Sequence, residues 1–465
     1  MPAMASLAFP PGFTWGTASS AYQVEGSPLA DGAGPSIWHE FCRKPGRIRD
    51  GSTGDPACDH YRRWPEDVAL MRDLGLAAYR FSTAWNRVFP EAGRLNPAGL
   101  AFYDRLVDGM LAAGIEPWLT LFHWETPAWL ERLGGWTIRG AADHFERFAE
   151  AIARTLGDRV KRWITINEPL VYASLGYGTG EYAPGRRNDL RGMHRAAHHL
   201  LVAHNRAAGV LRSLVPEAKI GVAHHLRGAD PARGSSRADR SAAGFMDAVT
   251  NRFGVEPLIR GAYPEIVLER ARRFLPRGFE QDAADAKGTA DFLGVNYYAA
   301  DRFRWSPFQL YTRAAAWLDP EVPRNPLGWP IDPSSLRRLL HRVRGEYGNP
   351  EVVITENGYP TADEQGGDPL DDPERTAYLR DHLAEVARAA AEGCRCTGYF
   401  CWTLMDNWEW ASGYRARFGL VHVDFATQRR RPKASARWYR ELAAANALAV
   451  EGAPADGRAG MPAGS

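Results

Sequence analysis

The sequence predicts one domain of the α/β class, a (β/α)8 TIM barrel with long βα loops, and three observations predict it. Eight short runs rich in β-branched and aromatic residues alternate with segments of helical period. Two of those runs, Trp163-Ile164-Thr165-Ile166 and Val352-Val353-Ile354-Thr355, are continuous in the way strands buried on both faces require. Each leads into a glutamate beside an asparagine, Asn167-Glu168 and Glu356-Asn357. The 465 residues exceed the roughly 250 that such a barrel needs, which puts the surplus in loops above the strand ends.

Each element follows from its residues. After a few loose residues, Phe13 to Ala18 gives the first strand, with Gln23 and Glu25 beyond its end. The segment Ser27 to Pro56 is rich in Gly, Pro and Asp and too long for an ordinary connection, so it is expected to run over one face for a functional reason. A helix near Tyr61 to Leu74 stops at Gly75. Ala77 to Ser82 is the second strand and carries Arg80 into the barrel interior or its mouth, beside any acid there. Pro97 to Ala113 is helical with Gly114 as its stop, and Ile115 to Trp124 is the third strand. Helix Ile138 to Leu156 leads to the fourth strand, Arg162 to Ile166, and helix Met193 to Leu214 to the fifth, Lys219 to Ala223. A helical region and a weakly patterned stretch precede the sixth, Asp291 to Tyr298. Helix Ser334 to Tyr347 leads to the seventh, Glu351 to Thr355, and helix Asp372 to Glu392 to the eighth, Thr397 to Trp402. The barrel domain spans residues 1–445, and the Ala-, Gly- and Pro-rich residues 446–465 are expected to be a disordered tail.

Composition excludes several classes. A formal net charge of +2 points to neither nucleic acid nor an anionic membrane surface. The densest basic run, Arg429-Arg430-Arg431-Pro432-Lys433, reads as a solvated loop. Five cysteines, Cys42, Cys58, Cys394, Cys396 and Cys401, lack disulfide-framework or CxxC spacing, which favours reduced thiols in a cytoplasmic protein. The first residues carry no secretion signal, and no segment is long and apolar enough to span a bilayer, so a soluble, unprocessed chain is expected. Sixteen tryptophans exceed what a core of this size requires, and indoles are the usual stacking surface for sugar faces.

The two strand-end glutamates carry the chemistry. Asn357-Gly358 and Pro169 end their strands and leave both carboxylates at the rim of the sheet, where a charge costs free energy unless something uses it. One such glutamate would read equally well as a helix cap. A pair is what cleavage of a glycosidic bond needs: one proton donor to the leaving oxygen, and one carboxylate to attack or stabilise the anomeric carbon.

Over nearly its whole length the chain resembles the glycoside hydrolase family 1 enzymes, whose members include β-glucosidases, β-galactosidases, 6-phospho-β-glycosidases and myrosinases. The resemblance rests on ordered motifs: Phe13 to Gly26, Arg80-Phe81-Ser82 with Trp85 and Arg87, Phe122-His123-Trp124, and Thr165-Ile166-Asn167-Glu168-Pro169. Asn296-Tyr297-Tyr298, Ile354-Thr355-Glu356-Asn357-Gly358, and Trp402 to Trp410 leading to Arg417-Phe418-Gly419 complete the set. It implies Glu356 as nucleophile and Glu168 as acid/base of a retaining β-glycosidase, with Arg80, Tyr298 and Asn296 in the catalytic group. It also implies Gln23, His123, Asn167 and Glu409 as hydroxyl-binding residues and Trp124, Trp402, Trp410 and Phe418 as apolar walls. Trp329 would be a platform on the leaving-group side. Glu409 stands where phosphosugar members carry serine, so a neutral sugar is expected, and Glu168 stands where myrosinases carry glutamine. Glu125-Thr126-Pro127-Ala128 and Trp408 depart from the commoner Asp-Leu-Pro-Gln and Phe. The implied substrates are β-glucosides, cello-oligosaccharides or aryl and alkyl β-glycosides, with no cofactor and no metal; a homo-oligomer is left open.

Physical chemistry supports the division of roles. Retaining glycosidases hold their carboxyls about 5 to 5.5 Å apart. At an effective dielectric of about 20, two charges at that distance repel by roughly 3 kcal/mol, or some two pKa units, so only one ionises comfortably. Arg80 and the Tyr298 hydroxyl are expected to put the charge on Glu356 and leave the proton on Glu168. Rival readings are a metal site, a sugar-binding pseudoenzyme and a transglycosylase. His194 and His198 fall at i and i+4 of one helix, with His199 and His204 beyond. No Glu follows the first His, as a zinc protease would need.

Overall fold

The eight apolar runs close on one another in a computed structural model that describes residues 5–362 and 368–450. Strands β1 (Thr14–Ala18), β2 (Ala78–Ser82), β3 (Glu116–Phe122), β4 (Arg162–Asn167), β5 (Lys219–His225), β6 (Phe292–Asn296), β7 (Val352–Asn357) and β8 (Cys396–Trp402) form a closed parallel barrel. Each strand pairs with its successor, and β8 pairs with β1 through Gly398↔Thr14 to Trp402↔Ala18. The principal helices around it are α1 (His60–Asp73), α2 (Pro97–Ala112), α3 (Gly140–Leu156), α4 (Leu190–Leu214), α5 (Phe253–Arg260), α6 (Pro333–Tyr347), α7 (Pro373–Ala391) and α8 (Ala434–Ala445).

One residue from every strand fills the barrel: Ala18, Ala78, Trp118, Ile164, Ala223, Phe292, Val353 and Phe400. Three alanines make room for three large rings, and the Trp118 ring lies 4.9 Å from Phe400 and 5.6 Å from Phe292. Gly16 has the same origin, since a Cβ there would come within 2.5 Å of the Phe400 ring. Alternate residues such as Trp163, Val222, Ile354 and Tyr399 face outward into a second layer packed with the helices.

Two expectations are corrected. Ala5–Ala8 is a strand, and Ala447–Val450 pairs with it antiparallel, inside the stretch read as a disordered tail. Asn446 secures the join, donating to Phe9 O at 3.1 Å and accepting from Trp15 Nε1 at 3.0 Å. The remainder of that tail lies outside the described residues. The run at Arg429 is not a solvated loop: Arg429–Pro432 pairs with Val421–Asp424, Arg430 reaches Asp67 at 2.9 Å, and Lys433 is buried against Asp406 at 2.7 Å. Strand ends shift as well, and they matter for the pocket. β3 stops at Phe122 because the chain turns at Trp124 with φ +75°, β6 stops at Asn296, and β5 runs on to His225. Among the described residues no helix is long and apolar enough to cross a membrane, and the five cysteines are buried and unpaired.

Candidate active site

The C-terminal ends of the barrel strands supply the functional groups. Glu168 follows β4 in the left-handed region at φ +47°, a conformation that turns the chain into the short helix Pro169–Ala173, and its N–H donates to Ala223 O at 2.7 Å. Glu356 is the penultimate residue of β7, in register with Asn296 of β6. Arg80 of β2 lies in the floor between them, donating to Glu356 Oε1 at 2.7 Å, Thr355 O at 2.9 Å, Asn167 Oδ1 at 2.6 Å and Thr120 Oγ1 at 3.1 Å. Tyr298 OH donates to Glu356 Oε2 at 2.8 Å. Asn296 Nδ2 donates to Glu168 Oε1 at 2.7 Å and Asn167 Oδ1 at 3.1 Å, while its Oδ1 accepts from Thr355 at 2.6 Å. Every polar group in this floor is therefore oriented by another, so the acids are held before any ligand arrives.

The electrostatics are asymmetric. Burial, reinforced by the charge of Glu356, pushes Glu168 up to about 8, against the Asn296 hydrogen bond and the charge of Arg80. Burial raises Glu356 too, but the Arg80 guanidinium and the Tyr298 hydroxyl pull it back. The direct bonds from Arg80 and Tyr298 therefore favour the charged form on Glu356, and the upward push on Glu168 favours its protonated form. Burial and the Arg80 charge hold His123 well below the usual imidazole range, so its ring is neutral where Asn167 Nδ2 meets Nε2 at 3.0 Å.

Above the acids opens a cavity of about 370 Å³, lined on one side by His123, Trp402, Glu409, Trp410 and Phe418. Gln23 Nε2 bonds Glu409 Oε2 at 2.8 Å and Asn407 Oδ1 at 3.1 Å, and burial pushes Glu409 up to about 8 against that bond. Trp124 lies 4.9 Å from Trp410, and the His123 ring is stacked 5.7 Å from Trp402. Trp329 lies 5.6 Å from Tyr298 and 6.2 Å from Phe418. A concave site with aromatic walls, converging hydrogen-bonding groups and a pair of carboxyls in unequal environments has the parts to stack a sugar ring and cleave the bond at its anomeric carbon.

The family model described as Glycosyl hydrolase family 1 matches residues 5–448. The chain belongs to this family. It is 43% identical over 443 residues to the "Beta-glucosidase A" of Thermotoga maritima, covering 95% of this chain and 98% of that one. It is also 43% identical over 444 residues to the "1,4-beta-D-glucan glucohydrolase" of Thermotoga neapolitana, covering 95% and 99%. Among solved structures, the Thermotoga maritima family 1 glycoside hydrolase complexed with a cyclophellitol analogue transition state mimic superposes with a TM-score of 0.92 at 43% identity, over 95% of this chain and 99% of that one.

In this family 1 chain the structure brings Arg80, His123, Trp124, Asn167, Glu168, Asn296, Tyr298, Trp329, Glu356, Trp402, Glu409, Trp410, Phe418 and Gln23 to one end of the barrel, in the pocket wall or hydrogen-bonded to it. Glu25 goes elsewhere. Two positions after Gln23 it points away from the pocket, to Arg87 at 2.9 Å and Tyr103 at 2.8 Å. The excursion from Ser27 to Pro56 braces the wall: Trp38 packs 4.6 Å from Trp410, Trp408 Nε1 donates to Ser52 Oγ at 3.0 Å, and Arg49 N donates to Ala411 O at 2.9 Å. The indole at 408 makes that bond possible. The histidines of α4 are engaged in packing: His194 with Tyr311, His198 with Asp282, His199 with Trp136 O and His204 with Thr165.

Sequence reasoning missed Glu181, Tyr182, His225, Arg227 and Thr250, which line the wall on the Glu168 side. Glu181 and Tyr182 sit in a loop without periodicity, and Thr250 sits in the short π-helical stretch Ala248–Arg252 between two helices, where nothing local marks a pocket residue. His225 had a readable signal, because the fifth strand continues through His224-His225 past the Ala223 at which it was ended. Its Nδ1 lies 4.0 Å from Glu168 Oε1.

Proposed function

We propose that the protein is a retaining β-glucosidase that removes terminal β-D-glucosyl residues from small β-glucosides, with cellobiose and short cello-oligosaccharides as the natural class. The carrying observation is the unequal pair of acids: Arg80 and Tyr298 bond Glu356, while Glu168 is left to burial and one amide. Ionised Glu356 attacks the anomeric carbon from below the sugar plane as Glu168 protonates the departing oxygen, so the C–O bond breaks as an ester bond forms. The ester carries no charge, so the pKa of Glu168 falls and it can take a proton from water, which attacks the anomeric carbon, frees Glu356 and gives the β-sugar. Asn167, fixed by Arg80, Asn296 and His123, is placed to strengthen a hydrogen bond to the 2-hydroxyl as the ring flattens. The glucan preference draws on the name of the Thermotoga neapolitana relative. The uncharged sugar draws on Glu409, which stands where phosphosugar members of the family carry serine. The buried unpaired thiols fit a reducing, cytoplasmic setting.

The test uses p-nitrophenyl β-glucoside, whose leaving group needs no proton. Glu168→Ala gives a burst of nitrophenolate followed by stalled turnover, and Glu356→Ala gives neither. A burst from the Glu356 variant alone would reverse the roles.

A further inference from the structure

Asp406 and Lys433 form a wholly buried ion pair, with side chains 0% and 2% exposed, in a place the chemistry does not use. Asp406 lies between β8 and Glu409, and Lys433 immediately precedes α8. Burial and the Arg375 charge pull Lys433 down to about 8 against Asp406, which leaves it protonated at neutral pH. Asp406 Oδ1 accepts from Lys433 Nζ at 2.7 Å and from Gly419 N at 2.9 Å, and Arg417 Nη1 lies 3.6 Å from Oδ2. Gly419 is gripped at its other end as well, because Arg375 Nη1 donates to its carbonyl at 2.8 Å. No other residue fits at 419: a Cβ would stand 2.0 Å from Asp406 N.

The grip joins two segments that line the pocket. Leu420 N donates to Thr403 O, Val421 N to Leu404 O and Asp406 N to Val421 O, each at 2.9 Å, so residues 403–406 and 418–421 are zippered together. One segment leads into Glu409 and Trp410, the other begins with Phe418, and all three line the cavity. A buried ion pair is about neutral for stability against apolar residues of the same shape. Stability alone therefore gives no reason for these charges, whereas an apolar pair could not orient the Gly419 amide.

We propose that Asp406, fixed by Lys433, is a positioning residue that sets the placement of Phe418 relative to Glu409 through the Gly419 amide, and thereby sets sugar affinity. This rests on the reading of Glu409 and Phe418 as sugar contacts. The consequence is a KM effect with chemistry little changed, since the acids hang on other strands.

Two double variants of the full chain test it, both free of a buried unpaired charge within the pair. Asp406→Leu with Lys433→Met removes the acceptor for Gly419 N, and Asp406→Asn with Lys433→Met keeps it. With p-nitrophenyl β-glucoside the first raises KM by about 10-fold with kcat within about 3-fold, and the second stays within about 3-fold of wild type in both. Melting temperatures of the two are compared alongside. Equal KM values for the two variants overturn the proposal. Glu409→Ala is measured in parallel. If it leaves KM unchanged, the reading of the pocket falls. If it raises KM while the double variants do not separate, the positioning role alone falls.

Discussion

Arg80 and Glu356 meet at 2.7 Å with side chains 1% and 5% exposed, an ion pair in the floor of the pocket. The same guanidinium holds Asn167 at 2.6 Å, so one residue of β2 sets both the ionisation of the β7 carboxylate and the direction of the amide beside Glu168.

Arg80→Met is expected to lower kcat/KM by between about 10² and 10⁴-fold, the range that roughly 3–5 kcal/mol for an uncompensated buried charge corresponds to. Glu356 loses the charge that pulls its pKa down, so the acid limb of the kcat/KM profile moves to higher pH. A pH series on the variant checks the direction.

On the proposed mechanism Glu168 donates the proton to the leaving group, and burial with the charge of Glu356 pushes it up to about 8. A raised pKa means the protonated form persists below that value and is lost above it. Activity on cellobiose, which needs the proton, is expected to fall as pH rises through about 8, while nitrophenyl glucoside retains its first step. Glu356→Gln removes the neighbouring charge, and the Glu168 pKa, read by carbon NMR of the labelled side chain, falls.

Trp408→Phe removes the indole bond to Ser52 while keeping an aromatic ring between Tyr22 and Trp38. The expected cost is about 1 kcal/mol in denaturant unfolding, with a modest rise in KM because the braced segment carries Glu409. Ser52→Ala should give the same loss, and the double variant should add little to either.

Leu448→Ala tests the strand that closes the chain ends together. Its side chain is 3% exposed within the main core cluster, and about 2 kcal/mol of stability is expected to be lost with KM unchanged, since this pairing lies far from the pocket in the chain's topology. Thermal unfolding with parallel kinetics measures both.

The barrel was legible because its signals are local. Strands such as Val352–Asn357 carry a short apolar run, here Val352 to Ile354, and several helices end at a glycine, as α3 does at Gly157 and α6 at Gly348. Gln23 and Glu25 show where that reading stops. They share one short stretch after β1, yet one reaches the pocket and the other a buried arginine, a choice made by the turn of Ala21–Val24 and invisible in composition. Arg429 to Lys433 and Ala447 to Val450 failed for a related reason. Their partners are Asp67 and the strand Ala5–Ala8, hundreds of residues away in the chain, and Asp406, 27 residues from Lys433, none of them visible in the local pattern.

By itself the sequence determined the eight-strand barrel, the two strand-end glutamates and the aromatic residues gathered near them, because strand period, turn chemistry and residue type are written within a few positions. Only the tertiary structure decided that Glu25 leaves the pocket, what the long excursion braces, and that a buried lysine and aspartate grip the pocket wall. Those properties arise from distances between groups on different strands, and from the loss of water around them, which closure of the barrel alone brings about.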